Sequence, residues 1–286
     1  AKEFGLEVIE INAEWGAPLD PEIFKTILEK DDKKEIKAVI LTHSETSTGV
    51  INDLKTISSY IRNHKKALSI IDCVTSIGAC NVPVDDWELD IVASGSQKGY
   101  MIPPGLSFVS MSEKAWQASE NSNLPKFYLN LKSYKKSLSS NSNPYTPAVN
   151  LVFALDESLR MMKDEGLDKI FKRHEKHKVA VSEAIKTLNL KLFADEEHLS
   201  PAVTAIQIED IDAEHFRKTI KNKYDILLAG GQDHLKGKIF RVGHLGYIND
   251  RDIIAVIAAI GNTLVEQNII STEKAGEALK IASCHL

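Results

Sequence analysis

Leu68-Ser69-Ile70-Ile71-Asp72-Cys73-Val74-Thr75-Ser76 is a short apolar run that ends in a carboxylate and breaks at once into small residues. Short apolar runs without polar alternation suit strands that are covered on both faces. Similar runs recur on either side, at Val8–Ile11, Ala38–Thr42, Ile91–Ala93 and Gly105–Met111, with helical patterns at Pro21–Glu29 and Leu54–Asn63 between them. That rhythm of strand, helix and strand predicts a mixed, mostly parallel sheet sandwiched by helices, with ligands at the C-terminal ends of its strands. Pro103-Pro104 stops the segment after Ile91–Ala93 from continuing as a helix.

The second half reads differently. A Ser/Asn-rich stretch around 137–147 predicts a loop, and a boundary falls near Asn150. Long helices over Leu151–Glu165 and Ile170–Leu188 follow, then strands near Leu190–Phe193, Val203–Ile208 and Ile239–Val242 with helices Ala213–Lys223 and Asp250–Gln267. The expected organisation is a large α/β domain over residues 1–150, then a helical connection and a smaller α+β domain over 151–286.

Composition narrows the function. The 286 residues are 43% hydrophobic and 26% charged, ordinary for a soluble globular protein, and no window is apolar enough to suggest a membrane span. A net charge of −5 argues against nucleic-acid binding, which depends on clustered Lys and Arg; Lys132, Lys135 and Lys136 read as a solvated face. Cys73, Cys80 and Cys284 match neither a metal-ligand spacing nor a disulfide framework, so a reducing, cytoplasmic setting is expected. No Gly-x-Gly-x-x-Gly follows a strand, which excludes a nicotinamide-binding fold. The spacing of His174 and His177 places both on one helix face, among Lys and Glu residues that suggest solvent rather than a metal.

Three segments carry candidate chemistry. Lys98, in Ser94-Gly95-Ser96-Gln97-Lys98, sits among small residues at a strand end, where desolvation would favour a nucleophilic amine; a lysine in an exposed turn is the plainer reading of that segment alone. Asp72 ends its strand where an acid needs a partner, or else caps the next helix. Leu41-Thr42-His43-Ser44-Glu45-Thr46-Ser47-Thr48-Gly49 offers hydroxyls for a ligand's oxygens, or a loop that caps the helix after Asn52. All three fall at consecutive strand ends of one inferred sheet, so a single ligand could touch them together.

These residues resemble the class V, fold-type I pyridoxal-phosphate (PLP) aminotransferases, in the alanine–glyoxylate and serine–pyruvate branch. The motifs are Leu41–Gly49 (LTHSETSTG), Ile71–Gly78 (IDCVTSIG), Ser94–Lys98 (SGSQK) with Pro103–Gly105, Tyr145–Ala148 (YTPA) and Arg241–Gly246 (RVGHLG). The resemblance implies a three-layer α/β large domain and a smaller C-terminal α+β domain. It implies that Lys98 is the Schiff-base lysine and the base, and that Asp72 faces the pyridine nitrogen. Val74 would press on the ring face, Thr46 bond the ring hydroxyl and Gln97 contact the phosphate. Thr146 would reach the partner subunit's phosphate in an obligate homodimer, and Asn143 stands where some relatives place an aromatic phosphate ligand. Arg241 matches the arginine that takes the substrate carboxylate, a role its planar fork of donors suits; its plain alternative is a surface salt bridge.

The implied reaction moves an amino group from alanine or serine to glyoxylate or pyruvate. Gln97 stands where cysteine desulfurases carry His, and none of the cysteines lies where sulfur transfer needs one. Other readings remain open: 2-aminoethylphosphonate transamination, a lyase on the same scaffold, or a non-catalytic fragment. Relatives also carry a preceding segment with a Gly/Ser-rich phosphate loop and a stacking aromatic, which is expected to lie outside this chain.

Overall fold

The computed structural model describes residues 1–209 and 211–286. Helix α1 (Pro21–Glu29) starts at Asp20, whose carboxylate accepts the Glu22 N–H, with Pro21 in the first turn where its missing N–H costs nothing. Strand β1 (Ala38–Thr42) leads into a small hairpin, β2 (Ser44–Glu45) and β3 (Val50–Ile51), and then α2 (Leu54–His64), capped by Asp53. Strands β4 (Leu68–Asp72), β5 (Ile91–Gly95) and β6 (Ser107–Met111) complete the first sheet. Its order is β1-β4-β5-β6, parallel except for the last pair, as the sequence predicts.

Side chains alternate across a strand, so one register decides both faces. Leu41, Ile71 and Val92 pack under α1 and α2, with Phe24, Leu28, Leu54, Ile57 and Ile61. The other face carries Ile40, 63% exposed, and Val109, 45% exposed. The α/β class holds as expected, while the helices packed on this sheet lie against one face of it among the described residues.

Helices α3 (Glu113–Glu120), α4 (Leu131–Leu138) and α5 (Val149–Glu165) follow. Helix α4, capped by Asn130, runs into the first residues of the stretch read as a loop over 137–147, and Lys135 and Lys136 lie on its exposed surface. The run Val8–Ile11 is not a strand: apolar residues favour extended backbone, but a strand needs a partner edge, and among the described residues none pairs with this run, whose Ile9 stays 63% exposed.

A second sheet, β7 (Lys191–Leu192), β8 (Val203–Gln207), β10 (Ile239–Gly243) and β9 (Ala229–Gly230) in that order, is antiparallel throughout. Around it pack α6 (Leu167–Thr187), α7 (Ala213–Tyr224), α8 (Asp250–Glu266) and α9 (Thr272–Cys284), sharing a core of Ile185, Ile206, Phe216, Phe240, Ile257 and Ile260. Among the described residues no helix is long and apolar enough to cross a membrane.

His174 and His177 correct the reading of α6 as solvated at those positions: both are buried. Lys and Glu neighbours occupy the outer face, while Ile170, His174, His177, Val181 and Ile185 form the inner stripe. His174 and His244, a third buried histidine, are each held by hydrogen bonds to a neutral ring. His174 Nδ1 donates to Ile170 O (2.7 Å), His244 Nδ1 donates to Pro201 O (2.9 Å), and the Thr204 hydroxyl donates to His244 Nε2 (2.9 Å). Burial pushes His174 down to about 4 and His244 to about 3. Arg173 and His177 also lower His174, against Ile170 O and Glu165; His174, His177 and Lys178 lower His244, against Pro201 O.

Ile71→Ala, which opens a cavity in the covered face, is expected to cost ~2–5 kcal/mol in urea unfolding, whereas Ile40→Ala on the open face is expected to stay within ~0.5 kcal/mol; equal losses would mean that both faces are covered in solution. The buried histidines have folded pKa values below the unfolded one, so their stabilisation is complete above about pH 6.5 and declines as pH falls toward about 4. Calorimetry should show the melting temperature falling from pH 7.5 to 5, with a shallower fall in His244→Asn; identical slopes would contradict a neutral buried imidazole.

Candidate active site

Register brings the first group together. Thr42 pairs with Asp72, and Asp72 with Ala93, at the C-terminal ends of three parallel strands. Asp72 is exposed on the open face, and its Oδ1 accepts the Val74 N–H (2.9 Å). The carboxylate therefore shapes its own turn through a local Asx bond instead of capping a helix. Its other oxygen has no protein hydrogen bond among the described residues.

Lys98 follows β5 in a tight turn and is half-buried. The turn is stapled by buried Ser96, whose hydroxyl donates to Pro103 O (2.8 Å) and accepts the Leu106 N–H (3.1 Å). Gly99 presses against the Asp72 turn so closely that a Cβ there would meet Ile77 O at 2.2 Å and Gly78 Cα at 2.9 Å. Only glycine permits this contact. Gln97 is exposed, with its side-chain amide folded beside Gly95.

The segment 41–49 joins the two sheets. Ser44 and Ser200 hydroxyls bond each other (2.8 Å), Ser200 N–H donates to Gly49 O (2.8 Å), and Ser47 bonds the Glu45 carboxylate through both its N–H (2.8 Å) and hydroxyl (2.7 Å). Those hydroxyls are structural. Thr46 is half-buried, and its carbonyl accepts a hydrogen bond from Arg241 Nη1 (2.5 Å).

Arg241 is only 9% exposed, and its Nε donates to Gly230 O (2.9 Å). It is not in a surface salt bridge. Desolvation draws the guanidinium below its ordinary range, Glu45 opposes that shift and Arg217 adds to it. Beside Thr46 lies a cavity of about 270 Å³ lined by Trp15, Glu45, Ser47 and Thr48.

The same chain returns toward Lys98 through Gly246, where a Cβ would lie 3.2 Å from Met101 Cγ and 3.7 Å from Lys98 O. Lys98, Asp72, Val74, Thr46 and Arg241 thus belong to one connected set of turns. Thr146 and Asn143 do not join it within this chain. They lie exposed in a loop whose Tyr145 hydroxyl donates to Phe127 O (3.1 Å) and whose ring packs on Tyr128 (4.7 Å). The sequence reading missed Gly230, Glu45 and the Thr46 carbonyl as neighbours of Arg241, and a backbone acceptor leaves no residue-type signal.

The donor set suits a phosphopyridine aldehyde, with an amine to condense with it and a free carboxylate oxygen for a ring N–H, while the desolvated guanidinium suits the carboxylate of a second ligand. Comparison with known proteins agrees. A model of the family described as Aminotransferase class-V matches residues 1–244. The chain is 58% identical over 263 residues to a protein of Anabaena cylindrica named soluble hydrogenase 42 kDa subunit, covering 92% of this chain and 69% of that one. It is 34% identical over 287 residues to serine–glyoxylate aminotransferase of Methylorubrum extorquens, covering 97% and 71%. The crystal structure of ureidoglycine–glyoxylate aminotransferase from Bacillus subtilis superposes with a TM-score of 0.90 at 32% identity, over 99% of this chain and 74% of that one. The chain belongs to the class-V aminotransferases, which are PLP-dependent enzymes.

Proposed function

We propose that this enzyme transfers an amino group from a small amino acid, alanine or serine, to glyoxylate or pyruvate, with both half-reactions at one site. The observation that carries the reading is the desolvated Arg241, bonded to Thr46 O and linked by a short loop to the Lys98 turn. Glyoxylate also appears in the names of the Methylorubrum and Bacillus relatives. The Anabaena relative's name describes that protein alone.

Arg241 binds the substrate carboxylate through its unoccupied edge, which orients the amino group toward Lys98. PLP, when bound, supplies an aldehyde and a ring that takes up the electron pair left at the substrate Cα. Lys98 Nζ is the amine that would hold the cofactor's aldehyde and, once freed by a substrate amine, would act as the base that takes and returns the substrate Cα proton. The free oxygen of Asp72 would hold the proton on the ring nitrogen, Val74 would pack on the ring face, and Thr46 Oγ1 would bond the ring hydroxyl. Gln97 would contact the phosphate. Thr146, with Asn143 beside it, serves the phosphate of a second copy in a homodimer, and the exposed loop that carries them is consistent with that role. We place the division between large and small domains near residue 150 and the enzyme in the cytoplasm.

The test is the visible spectrum of the protein loaded with PLP. An absorbance band that requires Lys98, absent in Lys98→Ala, should bleach with L-serine or L-alanine and return with glyoxylate or pyruvate. Asp72→Asn is expected to lower kcat by roughly 10²–10⁴-fold. Arg241→Lys should keep the band but raise KM for the donor by about 10-fold or more. A band that survives Lys98→Ala, or one that amino acids leave unchanged, would overturn the assignment.

A further inference from the structure

Gly246 is gripped at both ends of its backbone by consecutive residues of α6. Its N–H donates to His174 Nε2 (3.0 Å), and its carbonyl accepts from Arg173 Nη1 (2.8 Å), which also donates to Ile248 O (3.0 Å). Both side chains are fixed from behind. His174 Nδ1 donates to Ile170 O (2.7 Å), which leaves Nε2 as the acceptor. Arg173 makes a two-pronged pair with Glu165, Nε to Oε1 at 2.7 Å and Nη2 to Oε2 at 3.0 Å. Gly246 itself has a φ of +83°, a left-handed conformation that glycine tolerates, and lies against Met101 and the Lys98 carbonyl.

The position of this clamp matters more than its strength. Upstream in the same chain, β10 carries Arg241; across the contact, the turn carries Lys98. A bound amino acid spans these two groups, carboxylate to one and amine to the other, so their separation must match one small molecule. The two groups belong to different sheets with different cores, and Gly246 is a point where the strand carrying one meets the turn carrying the other.

We propose that His174 and Arg173 are positioning residues for transamination: by clamping Gly246 against the Lys98 turn they set the distance between the amine-binding and carboxylate-binding ends of the site. This rests on the roles of Lys98 and Arg241 proposed above. The clamp should matter only for a substrate that uses both ends. A carboxylate-free amine needs Lys98 alone.

The experiment compares L-serine with ethanolamine, and L-alanine with ethylamine, as bleachers of the cofactor band in the PLP-loaded protein. His174→Leu removes the acceptor, His174→Gln restores one through its amide oxygen, and Arg173→Met releases the other end of the peptide. In His174→Leu and Arg173→Met the amino-acid reaction is expected to slow about 10–100-fold, while the amine reaction stays within roughly 2-fold. His174→Gln should recover most of the loss. Hydrogen exchange at the Gly246 amide should be faster in His174→Leu, with PLP affinity unchanged. A parallel fall for amino acid and amine, or no fall for either, would overturn the proposal. If the unaltered protein shows no preference for the amino acid over its amine, the Arg241 assignment fails and the clamp has no distance to set. Gly246 exchange still reports in that case whether His174 holds the amide, so the two failures are distinguishable.

Discussion

A guanidinium removed from water must find partners inside the protein, because burying an unpaired charge is costly. Arg241 meets this demand without an ion pair among the described residues. Two backbone carbonyls, of Thr46 and Gly230, accept its hydrogen bonds, and Glu45 supplies opposite charge at longer range. Carbonyl dipoles hold the group without neutralising it. Arg241 therefore remains a cation with donors to spare, which a substrate carboxylate can use. The arrangement also ties the 41–49 segment to the site: without Thr46 in place, Arg241 loses one of its two backbone acceptors. Gly49 lets that segment dock directly on β8, where a Cβ would come within 3.1 Å of Ala205 N.

The first sheet was legible because its signal is local. Ala38–Thr42 and Leu68–Asp72 are short apolar runs bounded by turn residues, and the strands match them. Val8–Ile11 had the same local signal and failed, since pairing depends on a neighbouring strand and none pairs with it among the described residues. Helix α9 went unread although its signals are present: Ser271 caps it, and Ala275, Ala278 and Ala282 recur at helical spacing on its buried face. The histidines of α6 were misread for a more instructive reason. Flanking Lys and Glu describe the outer face of a helix, and the inner stripe was visible only through its apolar companions Ile170, Val181 and Ile185.

Within the site, legibility follows the chemistry of the side chain. Lys98 and Asp72 stood out because a charged residue among small ones at a strand end is unusual in sequence. The contacts that orient them are backbone contacts: Gly99 on Ile77, Thr46 O on Arg241, the Gly246 peptide between Arg173 and His174. Such contacts depend on where a carbonyl points, and many residue types could supply them. Glycine is the residue type that marks such contacts, since close approach of two backbones selects for the absence of a side chain.

Two cores that fold around separate sheets need not keep a fixed relation to each other, yet a substrate with its amine and carboxylate on one carbon tolerates little change between Lys98 and Arg241. A misplacement of about 1 Å can cost on the order of 10²-fold in rate. The structure answers with directional hydrogen bonds concentrated around the site, Ser44 to Ser200, Ser200 N–H to Gly49 O and Arg241 to Thr46 O, and with close backbone approaches of Gly49 to β8 and Gly246 to the Lys98 turn. Hydrophobic packing alone would leave sliding freedom, because it depends on area and has little preference for direction. Hydrogen bonds to backbone fix direction. Their use here places the stiffness of the molecule where transamination needs it, between the strand that carries the guanidinium and the turn that carries the amine.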